Sequence, residues 1–211
     1  MKKILFFMLA LVLLATPMVN AQNRQLVKEE KKEYKKKMKK YASEKWEVFG
    51  TSRTLEVLLL MHYDKLNDEG VEEITTQTIS TNKNLAKEKL LMSACAKYAQ
   101  AMGSNIKGLL VSDMASKVSP QELEEFENFY AAYENNVAAE IKGELKNTFC
   151  VYREIKHNET PAFEFEAYFI MDMEAASKAR IRAFENAAKE SAVAQKYAEQ
   201  VRAFIKEGSI E

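Results

Sequence analysis

The groups that could carry chemistry in this chain are few. It has two cysteines and two histidines, and they stand apart at His62, Cys95, Cys150 and His157. A zinc site needs such donors in closely spaced pairs, and no pair here has that spacing. Glu154 and His157 share the E-x-x-H interval of di-iron bundles, but that centre needs helices, a second copy and further glutamates. Here the interval falls at the end of a strand-patterned run, and the residue three before His62 is Leu59. G-x-S-x-G, H-E-x-x-H, C-x-x-C and glycine-rich phosphate loops do not occur. Glu122, Glu124, Glu125 and Glu127 crowd together, but at the start of a helix they complement its dipole. His62 sits beside the apolar face of a helix and is expected to be buried and hydrogen-bonded. This inventory points away from an enzyme and calls for no cofactor or metal.

Binding chemistry is better represented. Residues 22–45 read as a basic amphipathic helix, in which Val27, Tyr34 and Tyr41 recur every seven residues with Met38 beside them. Lys28, Lys32, Lys35, Lys36, Lys39 and Lys40 supply positive charge around that narrow stripe. They fit contact with an envelope protein or polymer, or with anionic lipid head groups; a solvated helix resting on the domain is the plainer alternative. Nucleic acid is not expected, because interleaved glutamates cancel part of the charge and an exported chain rarely meets it. A second expectation is a ligand cleft lined by Trp46, Tyr130 and Tyr133, suited to a lipid or glycan. Cys95 and Cys150 are either a disulfide, worth about 4 kcal/mol through loop entropy, or two buried thiols.

Export is read from residues 1–21. Lys2 and Lys3 precede an apolar run from Ile4 to Ala15, too short to span a bilayer comfortably, and Val19-Asn20-Ala21 matches a cleavage site before Gln22. The expected destination is the periplasm or the exterior, with no later transmembrane span. Removing Lys2 and Lys3 from the 31 basic residues leaves 29 against 31 acidic ones, so the mature chain is close to neutral.

The elements that must position these groups follow from periodicity. Phe163, Phe165, Ala167, Phe169 and Met171 share one parity, with Glu164 and Glu166 on the other, which predicts a strand with one buried face. Its hairpin partner is 147–155, joined by a loop of four to six residues at Lys156–Pro161. A long helix is expected from Glu174 to Lys206, with Ile181, Phe184, Ala188, Tyr197, Val201, Phe204 and Ile205 inward. Thr51 or Ser52 is expected to cap a helix over 53–67, and Val71–Ser80 reads as a strand. A helix to Met102 stopped by Gly103 and Ser104 comes next, then a short extended link over Ile106–Val111. Ser119-Pro120-Gln121-Glu122 is a capping box. It opens a helix whose stripe is Leu123, Phe126, Tyr130, Tyr133, Val137 and Ile141.

A Thr-rich strand (Ile74–Ser80) leads into a helix punctuated by Ala86, Ala94 and Ala99. A connecting helix, Phe149-Cys150-Val151-Tyr152-Arg153, a strand ending in Met171-Asp172 and a long closing helix complete the order. This order resembles small exported bacterial proteins of the Lpp-twenty lipoprotein type and the related N-terminal domain of a flagellar assembly protein. The resemblance implies a helix-on-sheet α+β fold and an envelope role, with no catalytic residues to carry over. It departs at the lipid anchor, since no cysteine follows Ala21. The expected architecture is one α+β domain over 46–208, an antiparallel sheet of three or four strands covered by long helices, behind the basic helix.

Overall fold

The computed structural model describes residues 28–114, 119–189 and 191–196, with positions 198, 199 and 202. The elements are α1 (Lys28–Ser43), β1 (Glu47–Val48), α2 (Leu55–Leu66), β2 (Val71–Ser80) and α3 (Lys83–Met114). They continue with α4 (Pro120–Ile141), β3 (Lys146–His157), β4 (Thr160–Asp172), α5 (Met173–Ala188) and α6 (Ala192–Lys196). The signal-peptide reading of 1–21 lies outside the described residues.

The four strands form one antiparallel sheet in the order β1-β3-β4-β2, so the class is α+β as expected. The Phe-rich strand β4 is an inner strand, paired with β2 over Phe163–Asp172 on one side and with β3 over Thr160–Ile170 on the other. Its predicted apolar parity is covered: Phe165, Ala167, Phe169 and Met171 join the larger core with α3, α4 and α5. The other parity is covered too, which the single-buried-face reading missed. Phe149, Val151 and Tyr168 form a second core with Tyr41, Trp46, Leu58, Leu59 and Tyr63, supplied by α1, α2 and the link between α1 and β1. The sheet is therefore the middle of three layers, and α1 is one wall of the second core.

Several boundaries differ from the expectation for identifiable reasons. Helix α3 does not stop at Gly103-Ser104. It runs on through the stretch read as an extended link. Gly103 serves there as a crossing point, because a Cβ at that position would collide with the Glu134 side chain of α4. Helix α2 is capped by Thr54, whose hydroxyl accepts from the Val57 amide, and not by Thr51 or Ser52. The capping box of α4 forms as predicted. The closing helix breaks after Ala188 and restarts at Ala192, where the Ser191 hydroxyl accepts from the Ala194 amide. Of its predicted inward residues, Phe184 and Ala188 are buried, while the side chains of Tyr197, Val201, Phe204 and Ile205 lie outside the description. Cys95 and Cys150 share the larger core as free, buried thiols, so the disulfide is not formed.

The β3–β4 hairpin is tighter than four residues. His157 pairs with Thr160, leaving Asn158 and Glu159 at φ +49° and +64°. Two successive left-handed residues match the twist of the flanking strands, but a glutamate there carries a steric cost of about 1–2 kcal/mol. Glycine would remove that cost while loosening the unfolded chain. Glu159→Gly is therefore expected to raise stability by about 0.5–1 kcal/mol, read as a higher urea midpoint at unchanged m value.

Candidate functional site

The interface between α1 and the sheet concentrates the buried polar chemistry. Glu166 of β4 is only 3% exposed, although alternation placed it on the solvent side. Four groups answer its carboxylate. Lys40 Nζ lies 3.0 Å from Oε2 and Gln77 Nε2 3.1 Å from the same oxygen. Tyr41 Oη lies 2.7 Å from Oε1, and the Tyr168 hydroxyl also bonds that oxygen. The two tyrosine hydroxyls are 2.7 Å apart. This triangle of oxygens has three edges and two hydroxyl protons to fill them, so the negative charge is shared across the group.

Burial alone pushes the Glu166 carboxyl up. Hydrogen bonds from Tyr168, Tyr41 and Lys40, with the Lys40 charge, together outweigh it and hold the group below the ordinary 4.5. The phenols shift the opposite way: burial and the Glu166 carboxylate push Tyr41 and Tyr168 up, so both keep their protons. At neutral pH the cluster is an anion held by two neutral donors, an amide and an ammonium.

A second polar line lies under the same layer. His62 is fully buried, as expected, with Nδ1 2.9 Å from Thr148 Oγ1 and Nε2 2.5 Å from Glu73 Oε2. Thr148 is the extra residue at the register shift between Asn147 and Phe149 in β3. A bulge re-aims one side chain, and here the Thr148 hydroxyl reaches the imidazole. Carboxylate, imidazole and hydroxyl in line are the parts of a nucleophilic relay. However, Thr148 Oγ1 also donates to the Tyr168 carbonyl at 3.0 Å, and the Phe149 and Tyr168 rings pack edge-on against the imidazole. The relay is closed on itself and holds layers together. Glu73 completes it toward α1: Lys37 Nζ is 4.0 Å from its Oε2 and 4.4 Å from the centre of the Tyr168 ring.

Helix α1 is thereby fixed in rotation as well as position. Its C-terminus closes as a Schellman motif, with Lys45 at φ +57°, the Lys45 amide on the Ala42 carbonyl and the Trp46 amide on the Tyr41 carbonyl. The Trp46 ring then meets Tyr41 edge-on at 5.8 Å. Arg153 bridges Glu44 and Glu164, 2.7 Å from each, and stacks on Trp46.

That rotation sorts the lysines. Lys37 and Lys40 point inward, whereas Lys28, Lys32, Lys35, Lys36 and Lys39 are exposed and form no ion pair among the described residues. Lys28, Lys32, Lys35 and Lys39 recur at steps of four, three and four, which puts them within about 60° of one another around the helix and along about 16 Å of its axis. Glu29 and Glu33 fall outside that arc. The predicted contact set thus divides: Lys40 is structural, Lys28, Lys32, Lys35 and Lys39 share an outer row, and Lys36 is exposed beside it. The cleft expected from Trp46, Tyr130 and Tyr133 does not exist. Trp46 belongs to the α1/α2 side and the two tyrosines to the α4 side, with the sheet between them.

Sequence reasoning missed Glu166, Glu73 and Tyr168 as a group. Their signal was faint: the polar parity of β4 reads Glu164, Glu166, Tyr168, Ile170, turning apolar along its length. Among the described residues, no trio of His, Cys, Asp or Glu could hold a metal ion, and no helix is long and apolar enough to cross a membrane. No family model, curated protein or solved structure matches the chain.

Because Glu166 and Glu73 are held below their ordinary value, their stabilising effect is full above about pH 4.5 and fades as pH falls through their lowered folded values. Glu166→Gln should lower stability at neutral pH and make it less steeply dependent on pH below 4.5, as followed by thermal melts across pH 3–7. Tyr41→Phe, which removes a donor to a buried anion, is expected to cost about 1.5–3 kcal/mol.

Proposed function

We propose that this chain is an exported, non-enzymatic cell-envelope protein that adsorbs to anionic lipid head groups through the outer row of α1. The observation that carries this reading is the rigid sorting of lysines, inward onto Glu166 and Glu73 and outward as Lys28, Lys32, Lys35 and Lys39. A helix that merely needed solubility would not require a buried carboxylate to fix its rotation.

The residue types favour a planar, diffuse partner. Helix α1 has eight lysines, three glutamates and no arginine. Lysine acts as a point charge, whereas arginine dominates where a carboxylate or phosphate is gripped in a defined bidentate geometry. A row of point charges on a convex helix suits a surface of many weak anions, at about 1 kcal/mol per lysine. The row carries no large apolar residue, so adsorption without insertion is the expected mode. Export rests on the n-region, apolar run and cleavage pattern of residues 1–21. The non-catalytic part rests on the enclosed state of His62 and Glu166, whose bonding is spent on joining α1 and α2 to the sheet.

Sedimentation with vesicles tests it. The protein without residues 1–21 should pellet with phosphatidylglycerol vesicles, not with phosphatidylcholine ones, and should be released by about 0.5 M salt. Reversing Lys32, Lys35 and Lys39 to glutamate should abolish pelleting while leaving the melting curve nearly unchanged, since these side chains are exposed and form no ion pair among the described residues. Equal pelleting of the reversed variant, or binding only to a soluble anionic envelope polymer, would overturn the reading.

A further inference from the structure

The opposite face of the sheet contains a different feature. A cleft of about 630 Å³ opens between the first turns of α3 and strands β3 and β4, within the range of small-ligand sites. Its cause is local. On the α3-facing side of the sheet Ala167 pairs directly with Cys150, so two small side chains lie together in a row otherwise built from Phe163, Phe165, Phe169 and Met171. Nothing on α3 fills the gap, and Leu90 and Leu91 form its roof. Cys150, Ala167 and Phe169 are each buried to within 7% yet line an opening to the outside. An apolar floor of this kind is poorly wetted and gains by taking an apolar guest.

The rim is polar and specific in placement. Asn84, Lys87, Glu88 and Leu91 follow one another at steps of three, one and three along α3 and all line the cleft, which therefore extends over about 10 Å of helix. Lys87 is exposed and makes no ion pair among the described residues. Its charge acts on the Cys150 thiol below it, which burial pushes up to about 12, so that thiol stays protonated and behaves as part of the apolar floor. Glu88 stands next to Lys87 on the same rim and opposes any anion that Lys87 attracts.

We propose that this cleft binds a medium-chain fatty carboxylate, with the chain laid over Cys150 and Ala167 and the head group at Lys87. The site and the lysine row of α1 lie on opposite faces of the sheet, so this inference does not rest on the vesicle-binding reading. A linear chain matches a trough about two helical turns long with an apolar base, a polar edge on α3 and Asn147 at its β3 side. Lys87, the one cation lining the cleft among the described residues, selects an acid over the corresponding alcohol.

Calorimetric titration of the chain lacking residues 1–21 with decanoate, below its aggregation concentration, tests the proposal. One saturable site is expected, with decanol binding about threefold more weakly. Leu91→Trp, which fills the roof from a half-buried position, should weaken decanoate at least tenfold, and Lys87→Gln by about threefold. Glu88→Gln should tighten it by a similar factor, a gain that misfolding cannot mimic. Absence of saturable binding, or equal affinity in the Leu91→Trp protein with a native melting curve, would overturn the site. Equal affinity for decanol, or no response to the Lys87 and Glu88 changes, would overturn the head-group assignment.

Discussion

A carboxylate can leave water only if its oxygens are answered, and the whole α1 side of this molecule is arranged to answer Glu166. Tyr41 and Lys40 come from the helix, Gln77 from β2, and Tyr168 from the same strand as the anion. Removing Lys40 leaves an unpaired charge in a low-dielectric layer, and removing a tyrosine or Gln77 leaves it with fewer hydrogen bonds, either loss costing more than that of a surface pair. Apolar packing alone, through Tyr34, Met38 and Tyr41, would hold α1 near the sheet but would tolerate rotation and sliding. The polar anchor admits one rotation. Registry of this kind is the best-attested use of a buried ionic group, and here it decides which lysines face outward.

The two faces of the sheet solve different problems. The α3/α4/α5 face is built mainly from aromatic, aliphatic and small side chains, with Arg180 buried against the Tyr98 hydroxyl, and its alanines at 176, 179, 183 and 187 let α5 lie close. The α1/α2 face mixes rings with Glu166, His62, Glu73 and Thr148, so that its helices are fixed by directional bonds as well as by packing. The bulge at Thr148 serves that second face. It brings a hydroxyl to the imidazole, and Asn147 Nδ2 donates to the Phe149 and Tyr168 carbonyls beside it. One irregular residue in β3 thus supports the joint between α2 and the sheet.

Much of the fold was legible because it is written in local periodicity. The alternation of Phe163 to Met171, the capping box at Ser119 and the Thr-rich run of β2 each specify an element within a few residues. What was not legible depends on partners distant in sequence. Nothing near Glu166 announces that Lys40, over a hundred residues earlier, will cover it, and alternation alone assigns such a glutamate to solvent. Gly103 reads as a stop because isolated glycine weakens a helix; only the crossing of α4 shows what it makes room for, the Glu134 side chain. Trp46, Tyr130 and Tyr133 are all buried, but on opposite faces of the sheet, and uniting them in one cleft required knowing which face each occupies. The lysine row was legible as charge, while its division into inward and outward members came only with the anchor.

The pairing of the sheet has a consequence for how the molecule assembles. Its centre, the β3–β4 hairpin, is local in sequence, whereas both outer strands come from the first half of the chain and find their partners only in the second. Synthesised or threaded from its amino end, the polypeptide meets β1 and β2 long before anything exists for them to pair with. The helices of that half can form early, but the layer they cover cannot close until residue Asp172 has emerged. Acquisition of structure is thus a late, concerted event, in which a hairpin made last is the template for strands made first.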